Sequence, residues 1–247
     1  MTSVNGDPKA FFEFLRETEA LQFGAYTLKS GRVSPYFFNS GRFDTGGRLR
    51  RLGEYFAGAI HAHAPGASLV FGPAYKGVPL CVAAAMALER RTGAEVGYLF
   101  DRKEKKAHGE RGGFVGRSPN PGERMVMVDD VITDGKTKLE AVAKLRESFD
   151  VSIEALVIAF DRMEVDSTGE DAVQRFQDAT GIPVISLMTL AGLEQAMVQT
   201  IGSGEGGGVE ESAASENSAP PGLEVLEQIR AYRRRYGAQR STAGMDP

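Results

Sequence analysis

Several things are scarce in this sequence, and each shortage excludes a class of protein. A single cysteine, Cys81, rules out an intrachain disulfide and a cysteine-cluster metal site. Set among Val78, Leu80, Val82 and Ala84, it reads as a core packing residue. No apolar run approaches the roughly 18 residues that a membrane-spanning helix requires. Met1 to Asp7 contain neither a basic region nor an apolar stretch, so no secretory leader is expected and the cytoplasm is the expected address. Basic residues are not in excess: the net charge of −4 argues against a general nucleic-acid binder, which needs a basic face. Internal repeats are lacking as well. What remains, 247 residues that are 42% hydrophobic and 25% charged, is the composition of an ordinary globular chain of one large or two small domains.

Along the chain, strand-like and helix-like patterns alternate. Asp7 to Phe23 reads as an amphipathic helix with Phe11, Phe14, Leu15 and Leu21 inward and Pro8 in its first turn. Strands are predicted at 26–29, 33–39, 68–72, 95–101, 125–130, 153–161 and 183–188. Helices are predicted at 46–63, 77–92, 136–149, 170–180 and 190–201. Such alternation predicts an α/β fold, a parallel sheet with helices on both faces, whose ligands bind beyond the carboxyl ends of the strands. Residues 202–222, rich in Gly, Ser, Glu, Ala and Pro, have too few large apolar side chains to offset their ordering entropy and read as a flexible linker. A last helix is predicted at 223–236, with Leu223, Leu226, Ile229 and Tyr232 on one face. Its Arg230, Arg233, Arg234 and Arg235 read as a solvated end that suits the helix dipole. Residues 237–247 read as a disordered tail.

Residues 125–137 are the most informative. The apolar run Met125–Val128 ends at the adjacent acids Asp129 and Asp130, followed by a turn with Thr133, Gly135 and Thr137 and then a helical pattern. Backbone N–H groups at a helix start, aided by the dipole, cradle a phosphate. Carboxylates just ahead of it suit paired sugar hydroxyls or a hard cation such as Mg2+. A charge pair at a buried strand end costs desolvation and rarely persists without partners.

This stretch resembles the phosphoribosyl-pyrophosphate (PRPP) motif of the type I phosphoribosyltransferases. Leu28–Arg32 with Ser34–Asn39 looks like the N-terminal signature of the orotate phosphoribosyltransferase family, Gly72–Gly77 like its pyrophosphate loop, and Asp101–Glu110 like its mobile catalytic loop. The motifs occur in family order, within a family-like region from about residue 8 to about residue 200. The resemblance implies the type I phosphoribosyltransferase fold over residues 1–201, with a small hood subdomain from the N-terminal ~65 residues and a core at 66–201. It implies transfer of ribose 5-phosphate from PRPP to orotate, with Mg2+ as cofactor and a homodimer that shares its active sites; neither nucleic acid nor membrane is an expected partner.

By the same resemblance, Tyr75, Lys76, Arg102, Lys103, Lys106 and His108 contact the pyrophosphate, some of them across the dimer interface. Lys105 has no family counterpart. The segment Asp129, Asp130, Val131, Ile132, Thr133, Asp134, Gly135, Lys136 and Thr137 binds the ribose and 5′-phosphate of PRPP. Lys103, Lys106, His108, Asp129 and Asp130 are the expected catalytic residues, with His108 a proton donor or a positional hydrogen-bonding group. Lys29, Phe37, Phe38, Thr133 and Arg162 lie on the orotate side; at most one of the two phenylalanines stacks on the base. No side chain is assigned as a direct metal ligand, since Mg2+ arrives with PRPP, reaching Asp129 and Asp130 at most.

One departure stands out: Thr133-Asp134-Gly135-Lys136 replaces the Thr-Ala-Gly-Thr usual in bacterial relatives, and Asp134 is expected to turn to solvent. Some family members are fused to an orotidine-phosphate decarboxylase, but the roughly 45 residues after position 200 are too few for such a domain. Alternatives are a phosphoribosyltransferase for another base, a PRPP-binding regulator without turnover, and an assembly partner docking through residues 202–247.

Overall fold

The computed structural model describes residues 8–102, 113–166, 168–202 and 222–238. Helix α1 (Pro8–Glu17) leads into an antiparallel hairpin of β1 (Leu21–Thr27) and β2 (Val33–Phe38), a two-stranded sheet of its own. Helix α2 (Gly46–His63), β3 (Leu69–Gly72), α3 (Gly77–Thr92), β4 (Gly97–Asp101) and β5 (Phe114–Gly116) follow, then β6 (Glu123–Val131) and α4 (Lys136–Ser148). The chain continues through β7 (Val151–Asp161), α5 (Ala172–Thr180), β8 (Val184–Thr189), α6 (Leu190–Gly202) and α7 (Leu223–Tyr236). The second sheet has the order β5-β4-β3-β6-β7-β8, parallel except for the edge strand β5.

Buried parallel strands are apolar on both sides, and successive side chains point to opposite faces. Val126 and Val128 of β6, with Val157 and Ala159 of β7, face the core shared with α1, α2, α3, α6 and α7. Met125, Met127, Leu156 and Ile158 face the smaller core beneath α4 and α5. Each fully buried large side chain contributes roughly 1.5–3 kcal/mol. Cys81 is fully buried, and burial pushes its thiol up to about 12, so it is the packing residue its surroundings suggested. His61 and His63 are exposed at the end of α2.

Several expectations need correction, and one strand was not predicted. The first helix ends at Glu17: Thr18 Oγ1 donates to Phe14 O at 2.8 Å, Glu19 turns left-handed at φ 56°, and Leu21 pairs with Phe38 across the hairpin. Leu21 is buried as expected, but as a strand residue. Strand β5, too short to show a period, pairs with β4 so that Phe114 lies opposite Asp101. The arginines of α7 are not simply solvated, because Arg233 Nε and Arg230 Nε lie 3.2 and 3.9 Å from Glu194 of α6. Burial raises the Glu194 carboxyl against the pull of these cations. Most of the predicted linker (202–222) and tail (237–247) lies outside the described residues, but Gly202 ends α6 and Gly222 caps α7. Gly237 and Ala238 are not a disordered start of the tail: they bond to Glu164 and Met163.

Candidate active site

The carboxyl ends of β3, β4 and β6 bring Lys76, Asp101 and the acidic pair into one region. Asp129 and Asp130 end β6 almost fully buried. Each carboxylate has its own lysine. Lys76 Nζ, from the loop after β3, lies 2.6 Å from Asp130 Oδ2, which also accepts from Ser40 Oγ at 2.6 Å. Lys138 Nζ, from the first turn of α4, lies 2.6 Å from Asp129 Oδ2. Burial raises the Asp129 carboxyl, opposed by Lys138; for Asp130 burial acts in the same sense but is outweighed by the bonds from Lys76 and Ser40, which hold it low. Among the described residues no three His, Cys, Asp or Glu side chains form a metal-binding group.

The turn after β6 leads directly into the start of α4. Gly135 caps α4 with φ 72°, which a side chain tolerates poorly. Thr133, Asp134, Lys136 and Thr137 are exposed around it. Ile132 is buried in the smaller core and Val131 ends the strand opposite Phe160, so these two can offer only backbone. Asp134 is not simply turned to solvent: its Oδ1 accepts from Lys136 N at 3.1 Å, and its carbonyl accepts from Arg175 of α5. The Asp134 carboxylate thus takes a backbone donor at the helix start, while the Lys136 side chain is exposed with no described partner. Lys136→Thr is accordingly expected to change the Michaelis constant for PRPP less than about tenfold, measured by steady-state kinetics; a larger loss would make Lys136 a phosphate ligand.

The loop after β3 contains a cis peptide bond between Ala74 and Tyr75, and Tyr75 is 68% exposed. Asp101, at the end of β4, accepts from Ala74 N at 2.8 Å and pairs with Lys144 of α4 at 3.1 Å, tying this loop to its neighbours. Arg102 follows directly, its N–H donating to Gly113 O at 2.7 Å. Lys103, Lys106 and His108 lie outside the described residues.

On the opposite side stands the β1–β2 hairpin. Phe38 stacks on Phe160 (5.2 Å, 16°) and packs inward, whereas Phe37 is half-exposed and stacks on Tyr26 (5.4 Å, 28°). Lys29 is exposed in the hairpin turn. Arg162, at the end of β7, donates through Nε and Nη2 to Glu164 Oε1 at 3.0 and 2.7 Å. Ser40, Asp101, Lys138, Lys144, Arg175 and Glu164 escaped sequence reasoning. Only Lys138 gave a signal, as a cation in the first turn of a helix, against the dipole.

No family model matches the chain. It is 45% identical over 199 residues to an orotate phosphoribosyltransferase of Bifidobacterium animalis subsp. lactis, covering 78% of this chain and 86% of that one. Over 229 residues it is 43% identical to the enzyme of the same name from Methylococcus capsulatus, covering 93% and 97%. The crystal structure of an orotate phosphoribosyltransferase from Francisella tularensis, 30% identical, superposes with a TM-score of 0.74 over 93% of this chain and all of that one. With this similarity covering most of the chain, the chain belongs to the orotate phosphoribosyltransferase family.

Proposed function

We propose that this site transfers the 5-phosphoribosyl group of PRPP to orotate, giving orotidine 5′-monophosphate and pyrophosphate in the de novo synthesis of UMP. The observation that supports it most is the meeting of Lys76, Ser40 and Asp130, from three separate segments, beside a helix start open to phosphate. A ring nitrogen of orotate forms the new bond to the anomeric carbon and gives up its proton to the departing pyrophosphate, whose carbon–oxygen bond breaks with its electron pair leaving on oxygen. Catalysis then consists mainly of holding negative charge and excluding water.

Lys76 rests on Asp130 until substrate binds, then turns to the pyrophosphate and leaves Asp130 to the ribose hydroxyls. Lys138 stays with Asp129, opposing the burial that raises its carboxyl. Thr133, Gly135 and Thr137 hold the 5′-phosphate with backbone N–H groups and hydroxyls. Tyr75, Arg102, Lys103, Lys106 and His108 surround the leaving group. Lys29 and Arg162 bind the orotate carboxylate, an Arg fork suiting that group well, while Phe37, the more exposed of the pair, offers its ring to the pyrimidine. The donor set suits Mg2+ brought by PRPP and held with, or through water from, Asp129 and Asp130. When bound, this ion neutralises diphosphate oxygens and eases pyrophosphate departure.

The active form is a homodimer with shared sites, located in the cytoplasm; no described helix is long and apolar enough to cross a membrane. If sites are shared, mixing Lys76→Ala chains with Lys106→Ala chains regenerates activity, roughly a quarter of the sites in a random mixture being intact. No recovery in purified heterodimers would leave each site within one chain. Turnover is tested by loss of orotate absorbance with PRPP and Mg2+, with uracil and hypoxanthine as competing bases. Orotate alone should be consumed, and a chelator should stop the reaction. Binding of PRPP with no turnover of any base would instead make the chain a regulator.

A further inference from the structure

Arg162 is held by more of the molecule than its own strand. Besides its two bonds to Glu164 Oε1, its guanidinium carbon lies 5.6 Å from the centre of the Tyr36 ring. The Tyr36 hydroxyl reaches the same Glu164 oxygen at 3.4 Å, and Arg32 Nη1 lies 3.8 Å from the other. Glu164 is thus the carboxylate that balances two half-buried guanidinium groups. It engages two of the five N–H groups of Arg162.

Between the partners lies Met163, left-handed at φ 51°, a conformation that a non-glycine residue keeps only where its surroundings impose it. Two hydrogen bonds impose it here. Met163 N donates to Asp161 Oδ1 at 2.8 Å, and Ala238 N donates to Met163 O at 2.7 Å. The second comes from beyond the C-terminal helix. Val165 N also donates to Tyr236 O at 3.0 Å, and Gly237 forms an antiparallel bridge with Glu164. A Cβ on Gly237 would lie 2.4 Å from Arg233 O, so the bridge depends on glycine there. Helix α7 is itself fixed by buried Leu226, Ile229 and Tyr232 and by the pairing of Arg233 with Glu194.

We propose that Glu164, locked by the backbone bridge from the end of α7, is the positioning residue that aims Arg162 at the carboxylate of orotate. The C-terminal helix is then a working part of the substrate site. This rests on the reading of Arg162 as the carboxylate receptor. Glu164 grips one edge of the guanidinium, the Tyr36 side chain takes a further hydrogen bond, and the N–H groups that remain are left to a second carboxylate, while the bridge keeps the turn from relaxing.

The test is steady-state kinetics on the full-length chain with orotate and PRPP varied separately. Glu164→Gln and Gly237→Ala should each raise the Michaelis constant for orotate about tenfold, with that for PRPP changed less than about twofold. Two independent variants guard against one failing to fold. An unchanged constant for orotate overturns the proposal. So does a lowered one, which would make Glu164 a competitor of the substrate carboxylate, and so does an equal rise for both substrates, which would mark a general structural role. Arg162→Gln separates the premise from the inference. If it leaves the constant for orotate unchanged, Arg162 is not the receptor and the proposal falls with its premise; if it raises that constant while Glu164→Gln does not, only the positioning role falls.

Discussion

Replacing Lys138 by methionine is expected to destabilise the protein by about 3–5 kcal/mol at neutral pH, the range for removing one partner of a buried ion pair. The Lys138 and Asp129 side chains are only 11% and 7% exposed, and their charged atoms are 2.6 Å apart. Methionine fills similar space and gains about 1 kcal/mol from apolar burial, so the uncompensated carboxylate dominates. The macrodipole works against Lys138 in the first turn of α4 and would by itself favour its removal, but by only about 0.3–1 kcal/mol. Urea denaturation at pH 7 measures the loss. Adding Asp129→Asn should recover most of it, because an amide needs no counter-charge, and the double-mutant cycle isolates the pair. Burial raises the Asp129 carboxyl in the folded state, so the native protein binds that proton more tightly than the unfolded chain does. Acidification through this window protonates Asp129 in the variant and removes the unpaired charge. The gap between wild type and variant should therefore narrow as pH falls. A loss below 1 kcal/mol at pH 7 would show that water already screens the pair.

The second large effect is expected at Gly72, where stability matters less than geometry. A Cβ there would lie 2.0 Å from Gly77 O and 2.9 Å from the Cys81 Cβ, both fixed by the start of α3. From the other side, a Cβ on Gly77 would lie 2.7 Å from the Gly72 carbonyl carbon. The two glycines let β3 and α3 approach closely enough to fold Pro73–Lys76 into a short loop, closed by Gly77 N donating to Pro73 O at 3.0 Å. Gly72→Ala must move this loop by about 1 Å, taking Tyr75 and Lys76 with it. Displacement on that scale costs about a hundredfold in rate, so kcat/KM for PRPP should fall at least that much, with a stability loss of about 2 kcal/mol. Gly47→Ala, in α2 with open space around its Cβ, is the control and should leave both quantities nearly unchanged. Equal kinetics for the two variants would show that the loop tolerates displacement.

Much of the fold is legible in the residues because local periodicity decides it. The spans of α2 and α7 match the helical pattern, and the apolar run of β6 stops at the acidic pair that the structure also places at the strand end. Failure comes where a short piece carries too little pattern. Leu21 continues the apolar spacing of Phe11 and Phe14, so the pattern carries the helix past Glu19, where the backbone breaks it. Three residues of β5 show no period at all.

The sequence by itself determined the order of strands and helices apart from β5, the acidic pair, the glycine at the start of α4 and the family to which these belong. Backbone preference and the alternation of apolar residues act over a few positions and need no distant partner. Only the tertiary structure decided what each charge rests on. Ser40 and Lys76 reach Asp130 across 90 and 54 residues of chain, and Tyr36 reaches Glu164 across 128. Such pairings leave no periodic trace, because they depend on where the sheet order sets the strand ends. A buried charge then takes whichever counterion that topology brings within reach, since leaving it unpaired costs more than any local preference can supply.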